Sequence, residues 1–176
     1  MNEEALAYRL NRGLDQKDEQ MALLVQRVSG AYKKDYFFPD VAGVGISYNT
    51  FVWKEHLDPK AGMLRLVVGL GTRAVNRVDG DYPRIVALDD PLLKTHGGIK
   101  DAQRFSQHEM DVLNIKKNAF EIVPVRDLIK QKIYLKLEQV AIRDHEAAER
   151  LRAAGSQDEP WIINFDRMLG DTKFAE

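Results

Sequence analysis

Short apolar runs punctuated by glycine and proline, not one sustained period, set the layout of the chain. The stretch that organises it is Met63–Pro83, MLRLVVGLGTRAVNRVDGDYP. Leu64–Val68 is apolar apart from Arg65 and runs directly into Gly69-Leu70-Gly71. A β-branched and Leu-rich run delivered into a Gly-x-Gly turn predicts a strand ending where backbone passes close to something. That something is either a nucleotide phosphate or another strand. Arg84–Leu88 predicts a further strand, stopped by Asp89-Asp90-Pro91. Upstream, Met21–Val28 is the first strand candidate, and Val41–Asn49 is another, with glycines at 43 and 45 marking a bulge or close approach. Met110–Ile115 and Phe120–Val125 alternate as a hairpin should, with Lys116-Lys117-Asn118 as its turn. Strand, loop, strand, turn, strand leaves little room for crossover helices, which favours an antiparallel or mixed sheet.

Helical signals lie mainly at the two ends. Glu3–Arg12 has acids in its first turn and Arg9 and Arg12 in its last, matching the helix dipole, with Gly13 as the stop. Leu6 and Leu10 share a face there, so this helix is expected to pack on something. Leu135–Ala153 reads as a longer helix with Leu137, Val140, Ala141, Ala148 and Leu151 along one face, a stripe that Asp144 interrupts. Trp161–Phe165 is a short apolar piece, and Phe165–Leu169 a last helical turn. Between Leu92 and Gln107 the pattern is weak, and Gly97-Gly98 suggests a surface loop. Tyr36, Phe37 and Phe38 follow Lys33 and Lys34 in a loop expected to tuck its rings beneath the sheet.

Composition narrows the field. The 176 residues fit one domain or part of a larger one, and 44% hydrophobic with 30% charged is the balance of a globular protein. A formal net charge of -1 leaves no basic footprint for nucleic acid. With no cysteine, disulfides, thiolate metal sites and cysteine nucleophiles are excluded. No apolar run approaches the ~20 residues of a membrane span, and the N-terminus lacks a secretion signal, so a cytoplasmic setting is expected.

Few motifs carry chemistry on their own. Gly69-x-Gly71-x-x-Ala74 with Asp89 beyond a second strand matches the dinucleotide-binding fingerprint. Its crossover, however, needs at least ~10–12 residues, and the helix starting near Thr72 must end before Gly80. His56, His96, His108 and His145 are scattered without metal-ligand spacing, and no Walker A lysine follows the turn. Asp89-Asp90-Pro91 reads as a strand-ending turn in preference to a metal carboxylate pair.

Taken in order, the segments resemble the N-terminal ATP-binding domain of phosphoenolpyruvate synthases and pyruvate phosphate dikinases. Ala7-Tyr8-Arg9 with Gly13 is similar to the family's A-x-x-Y-R-x-x-x-G helix, and Val25-Gln26-Arg27-Val28 to its V-Q-x-M-V strand. Gly43-Val44 with Ser47 and Asn49 resembles S-G-V-x-F-S-x-N. Gly69-Leu70-Gly71 with Val75 resembles G-L-G-E-x-V, and Asp81-Tyr82-Pro83 falls in the region of the P-D ending. The similarity spans roughly Ala5 to Leu88. Thr72 stands where the family has an acid and Arg73 follows it, which marks a divergent branch.

The resemblance implies an α+β fold: a partial ATP-grasp subdomain over residues 1–124, its mainly antiparallel or mixed sheet flanked by helices. Residues 125–176 are then a helical extension or the edge of the next subdomain. It implies a nucleotide site of Val25, Gln26, Arg27, Val28, Gly69, Gly71, Thr72 and Arg73. The hinge backbone reads adenine between Leu24 and Val28, and Arg73 neutralises phosphate charge. ATP and Mg²⁺ are the implied cofactors of the intact protein, with pyruvate and phosphoenolpyruvate met through further domains. The chain alone, a fragment on this reading, is expected to be inactive. Two alternatives stand beside it: a non-catalytic nucleotide-binding or regulatory module with the same fold, and the dinucleotide-binding domain.

Overall fold

Backbone pairing in the computed structural model is antiparallel throughout the described residues, which are 3–14, 16–17, 22–95, 97–133, 137–156 and 160–171. Helix α1 (Glu3–Asn11) comes first, followed by strands β1 (Ala31–Lys33), β2 (Tyr36–Phe38) and β3 (Ala42–Ile46). A single 3₁₀ turn, Pro59–Ala61, precedes β4 (Met63–Val67); then come α2 (Thr72–Val75) and β5 (Arg84–Ala87). The order continues α3 (Ile99–Arg104), β6 (Glu109–Asn114), β7 (Ala119–Pro124), α4 (Val125–Lys130) and α5 (Leu137–Val140). It closes with β8 (Ala141–Arg143), α6 (His145–Ala153), β9 (Trp161–Ile163) and α7 (Asp166–Leu169). The protein is an α+β fold.

Among the described residues three sheets result, ordered β1-β2-β6-β7, β3-β4-β5 and β8-β9. In the three-stranded sheet β4 is central, with Arg65 opposite Val44 on one side and Ile85 on the other. Since opposed residues share a face, Leu64, Leu66 and Val86 point one way and Arg65 and Ile85 the other. The hairpin β6–β7 forms where expected, and Asn118 takes the turn at φ 50°. One hydrophobic core draws Phe38, Leu66, Val86 and Met110 together with Val125, Leu128, Val140 and Phe165, so it spans both sides of position 124.

Several expectations change. Residues 22–30 pair with no strand among the described residues and are exposed, Val25 to 92%, while Met21 lies outside the described residues. An apolar run gains no ladder without a neighbour to complete it, and none of the three sheets includes this one. Leu6 and Leu10 are likewise more than half exposed, so α1 buries no residue.

The long helix expected over Leu135–Ala153 divides, with Leu135 outside the described residues. Ala141–Arg143 pairs with Trp161–Ile163, and α6 begins only at His145. The break falls at Asp144, whose buried carboxylate accepts a hydrogen bond from the Ala147 N–H at 2.9 Å and caps α6. Tyr36–Phe38 is strand β2, not a loop, although Phe38 is fully buried as foreseen. The segment Leu92–Gln107 holds α3 and ends in two buried polar residues, Ser106 and Gln107.

Candidate functional site

Gly69 and Gly71 both hold positive φ, 87° and 35°. What they approach is protein. A Cβ on Gly69 would lie 2.8 Å from the Asp111 carbonyl oxygen, so close contact with β6 is what demands glycine there. The turn's donors are also committed inward. The Leu70 N–H donates to the Asp111 carbonyl at 3.0 Å, the Gly71 N–H to that of Gly69 at 3.1 Å, and the Thr72 N–H to that of Leu70. The turn therefore supplies shape and offers no open row of amides of the kind that cradles phosphate. It leads into α2, four residues long, and β5 returns antiparallel to β4. That geometry removes the dinucleotide-binding reading, which requires a crossover to a parallel strand.

Arg73, expected to neutralise phosphate, is turned inward and 5% exposed. Its Nε donates to Asp111 at 2.9 Å, one terminal nitrogen to Asp81 at 2.5 Å and the other to Glu109 at 3.1 Å. Burial alone would pull this guanidinium's pKa down. The hydrogen bonds and charges of Asp111 and Asp81 outweigh that and raise it above the ordinary arginine value. Thr72, the other departure from the family's pattern, donates its hydroxyl to Asp111. Asp81 also accepts from the backbone N–H groups of His108 and Glu109. The pair Thr72-Arg73 thus bolts the turn to β6 and to the loop before β5.

Gln107 completes this seam. Its buried amide accepts from the Val68 N–H at 2.8 Å and donates to the carbonyls of Val68 at 2.9 Å and Glu109 at 2.8 Å. Sequence reasoning passed over it because a lone glutamine in a weakly patterned stretch carries no periodic signal.

The other expected site residues stand apart from this cluster in character. Val25, Gln26, Arg27 and Val28 lie in the exposed extended segment, with Leu24 80% exposed and Val28 50%. Of the histidines, His56 meets Asp90 at 3.3 Å, His145 is exposed on α6, and His96 lies outside the described residues. Among the described residues no three His, Asp or Glu side chains are grouped to hold a metal ion. The carboxylates nearest the turn are occupied by Arg73, so this cluster does not fit Mg²⁺.

A cavity of about 1110 Å³ opens along β5, the outer strand of the three-stranded sheet. Trp53, Arg65, Tyr82, Arg84, Phe105 and Asp166 are among its walls, whereas Val25–Val28 and Gly69–Arg73 are not. Arg84 donates to the Leu93 carbonyl at 3.2 Å and to Asp166 at 3.5 Å. Burial lowers its pKa, and the charge of Asp166 offsets only part of that. Arg65 lies half-buried with no hydrogen bond or ion pair among the described residues, and its Nε is enclosed without a partner. The signal for this site was present in the sequence as the one charge inside the Leu64–Val68 run. Among the described residues no helix is long and apolar enough to cross a membrane.

No curated protein and no solved structure matches the chain. The model of the pyruvate phosphate dikinase AMP/ATP-binding domain matches it over residues 1–158, nine-tenths of its length. By that match the chain belongs to the family of pyruvate phosphate dikinase AMP/ATP-binding domains.

Proposed function

We propose that this chain is the ATP-binding part of a phosphotransferase resembling phosphoenolpyruvate synthase. In the intact protein ATP phosphorylates a histidine on a mobile domain, and that phosphohistidine phosphorylates pyruvate. The observation that carries the reading is the family match over residues 1–158. Within the chain, the extended segment Val25–Val28 offers backbone donors and acceptors to adenine, with Leu24 and Val28 as apolar flanks. Gly69, Gly71, Thr72 and Arg73 serve to hold the glycine turn in shape, since their polar groups are engaged within the protein.

Isothermal titration with ATP and Mg²⁺ tests this. Saturable heat with one nucleotide per chain is expected. Leu24→Asp, at a side chain 80% exposed, should weaken binding about tenfold while leaving the fold intact. A second reading is favoured by the caging of Arg73: a module that keeps the fold without phosphoryl transfer. No heat at millimolar nucleotide would select that reading.

A further inference from the structure

The cavity beside β5 has no place in the nucleotide reading above, because its walls include neither Val25–Val28 nor Gly69–Arg73. Its charges are out of balance. Arg65 sits in the middle of β4, between Leu64 and Leu66, half-buried and without an acceptor among the described residues. A guanidinium taken partly out of water with no carboxylate opposite is costly, and an acceptor supplied by a bound oxyanion would offset that cost. Arg84, on the next strand, shares its single carboxylate with Lys94: Asp166 is 3.5 Å from each. Arg77 adds an exposed cation to the walls, and Asp79 and Asp81 add carboxylates, of which Asp81 is taken by Arg73.

Aromatic rings stand among aliphatic and polar residues in the remaining walls. Tyr82 and Phe105 pack edge to face with ring centroids 5.4 Å apart. Trp53, half-buried, has an indole N–H that finds no partner among the described residues. Buried donors left without acceptors are rare enough in folded proteins that each requires an explanation, and a missing ligand is one of the few available. A cavity of about 1110 Å³ is at the large end for small-molecule sites, which are mostly apolar with a few convergent polar groups.

We infer that this cavity is a second binding site, taking an organic oxyanion: a phosphate or carboxylate joined to a flat apolar group. Arg65 supplies the charge-assisted hydrogen bonds, its planar fork suited to either oxyanion. Trp53, Tyr82 and Phe105 cover the flat group. The phosphate of a nucleoside monophosphate and that of a simple aryl phosphate share this chemistry, and titration separates them.

The test is isothermal titration of the protein with phenyl phosphate, AMP, benzoate and inorganic phosphate, beside thermal melts. Phenyl phosphate should bind, and Arg65→Met should weaken it by about tenfold or more. The same substitution should leave the melting temperature unchanged or raised, because it removes an unpaired, half-buried charge. An arginine with only a structural role would show the reverse, a lowered melting temperature with binding retained. Should Arg65→Met not fold, Arg65→Gln, which keeps a polar stem without the charge, carries the same comparison. Tryptophan fluorescence should respond to phenyl phosphate in the native protein and not in Trp53→Phe. AMP binding lost in Arg65→Met would make the nucleotide phosphate the source of the anion. Equal affinity for inorganic phosphate and phenyl phosphate would overturn the aromatic half of the proposal. Absence of binding by all four probes, or undiminished binding by Arg65→Met, would overturn it entirely. ATP binding that survives Arg65→Met while phenyl phosphate is lost shows two separate sites. Phenyl phosphate binding by a protein that ignores ATP refutes the nucleotide reading and leaves this one standing.

Discussion

Arg73 shows how one side chain can hold a fold together while looking, in sequence, like a ligand-binding group. It sits just after a Gly-x-Gly turn, where a cation is expected to meet phosphate. Instead three carboxylates surround it at 2.5 to 3.1 Å. Removing it leaves Asp81 and Asp111 buried without a countercharge, so Arg73→Met should cost about 3–5 kcal/mol, read as a shift in the urea midpoint. Arg73→Lys should recover little, because an ammonium cannot reproduce a fork that bonds three separate acids. Sequence could not have given this role. Asp81, Glu109 and Asp111 lie 8, 36 and 38 positions away, and nothing local says that the fold brings them to Arg73.

At the scale of elements, legibility follows how local the determining contact is. The β6–β7 hairpin is readable because alternation, turn residues and pairing all lie within one short span. Its turn is fastened by Asn114, whose side chain accepts from the Lys117 N–H at 3.0 Å and donates to Glu121 at 2.9 Å. Lys117 and Glu121 pair at 2.8 Å. The hydrogen bond from Lys117, then that from Asn114, holds the Glu121 carboxyl below the ordinary glutamate range. The bond to Glu121 likewise raises the Lys117 ammonium. The signs differ: Glu121's contribution is present above the ordinary glutamate pKa and lost as pH falls through the lowered one. Lys117's contribution is present below the ordinary lysine pKa and lost as pH rises through the raised one. Lys117→Met should therefore lower the urea midpoint modestly at neutral pH and cease to matter in acid, where Glu121 is protonated. Salt should shrink the effect, since the pair is solvated.

The helix expected over Leu135–Ala153 fails for the opposite reason. Helical spacing is present, yet Ala141–Arg143 finds its strand partner at Trp161–Ile163, and Asp144 caps the shorter helix that remains. Asp144 was visible as an interruption of the apolar stripe. That an interruption is also a start signal depends on the strand that β9 supplies later in the chain.

Taken whole, the molecule is most legible where strands adjoin in sequence. The β3–β4–β5 sheet was readable as strand, loop, strand, turn, strand, because each partner is the next strand along. Residues 22–30 were misread because apolar content alone does not make a strand; a partner must be within reach, and Leu23 to Val25 remain at least 80% exposed. The cavity was legible only as an oddity, one arginine inside an apolar run, since its other walls come from Trp53, Phe105 and Asp166 in distant segments.

The seam between β2 and β6 joins Tyr36 to Asn114 and Phe37 to Leu113. Closing so large a loop costs entropy before any contact repays it, whereas β3, β4 and β5 are sequential neighbours. Assembly of the protein should then be ordered in time: the amides of β4 gain protection from solvent deuterium ahead of the Ile115 N–H, which donates to the Asp35 carbonyl across that seam at 2.8 Å. In pulse-labelling during refolding, simultaneous protection of both would show that the distant seam forms as early as the local sheet.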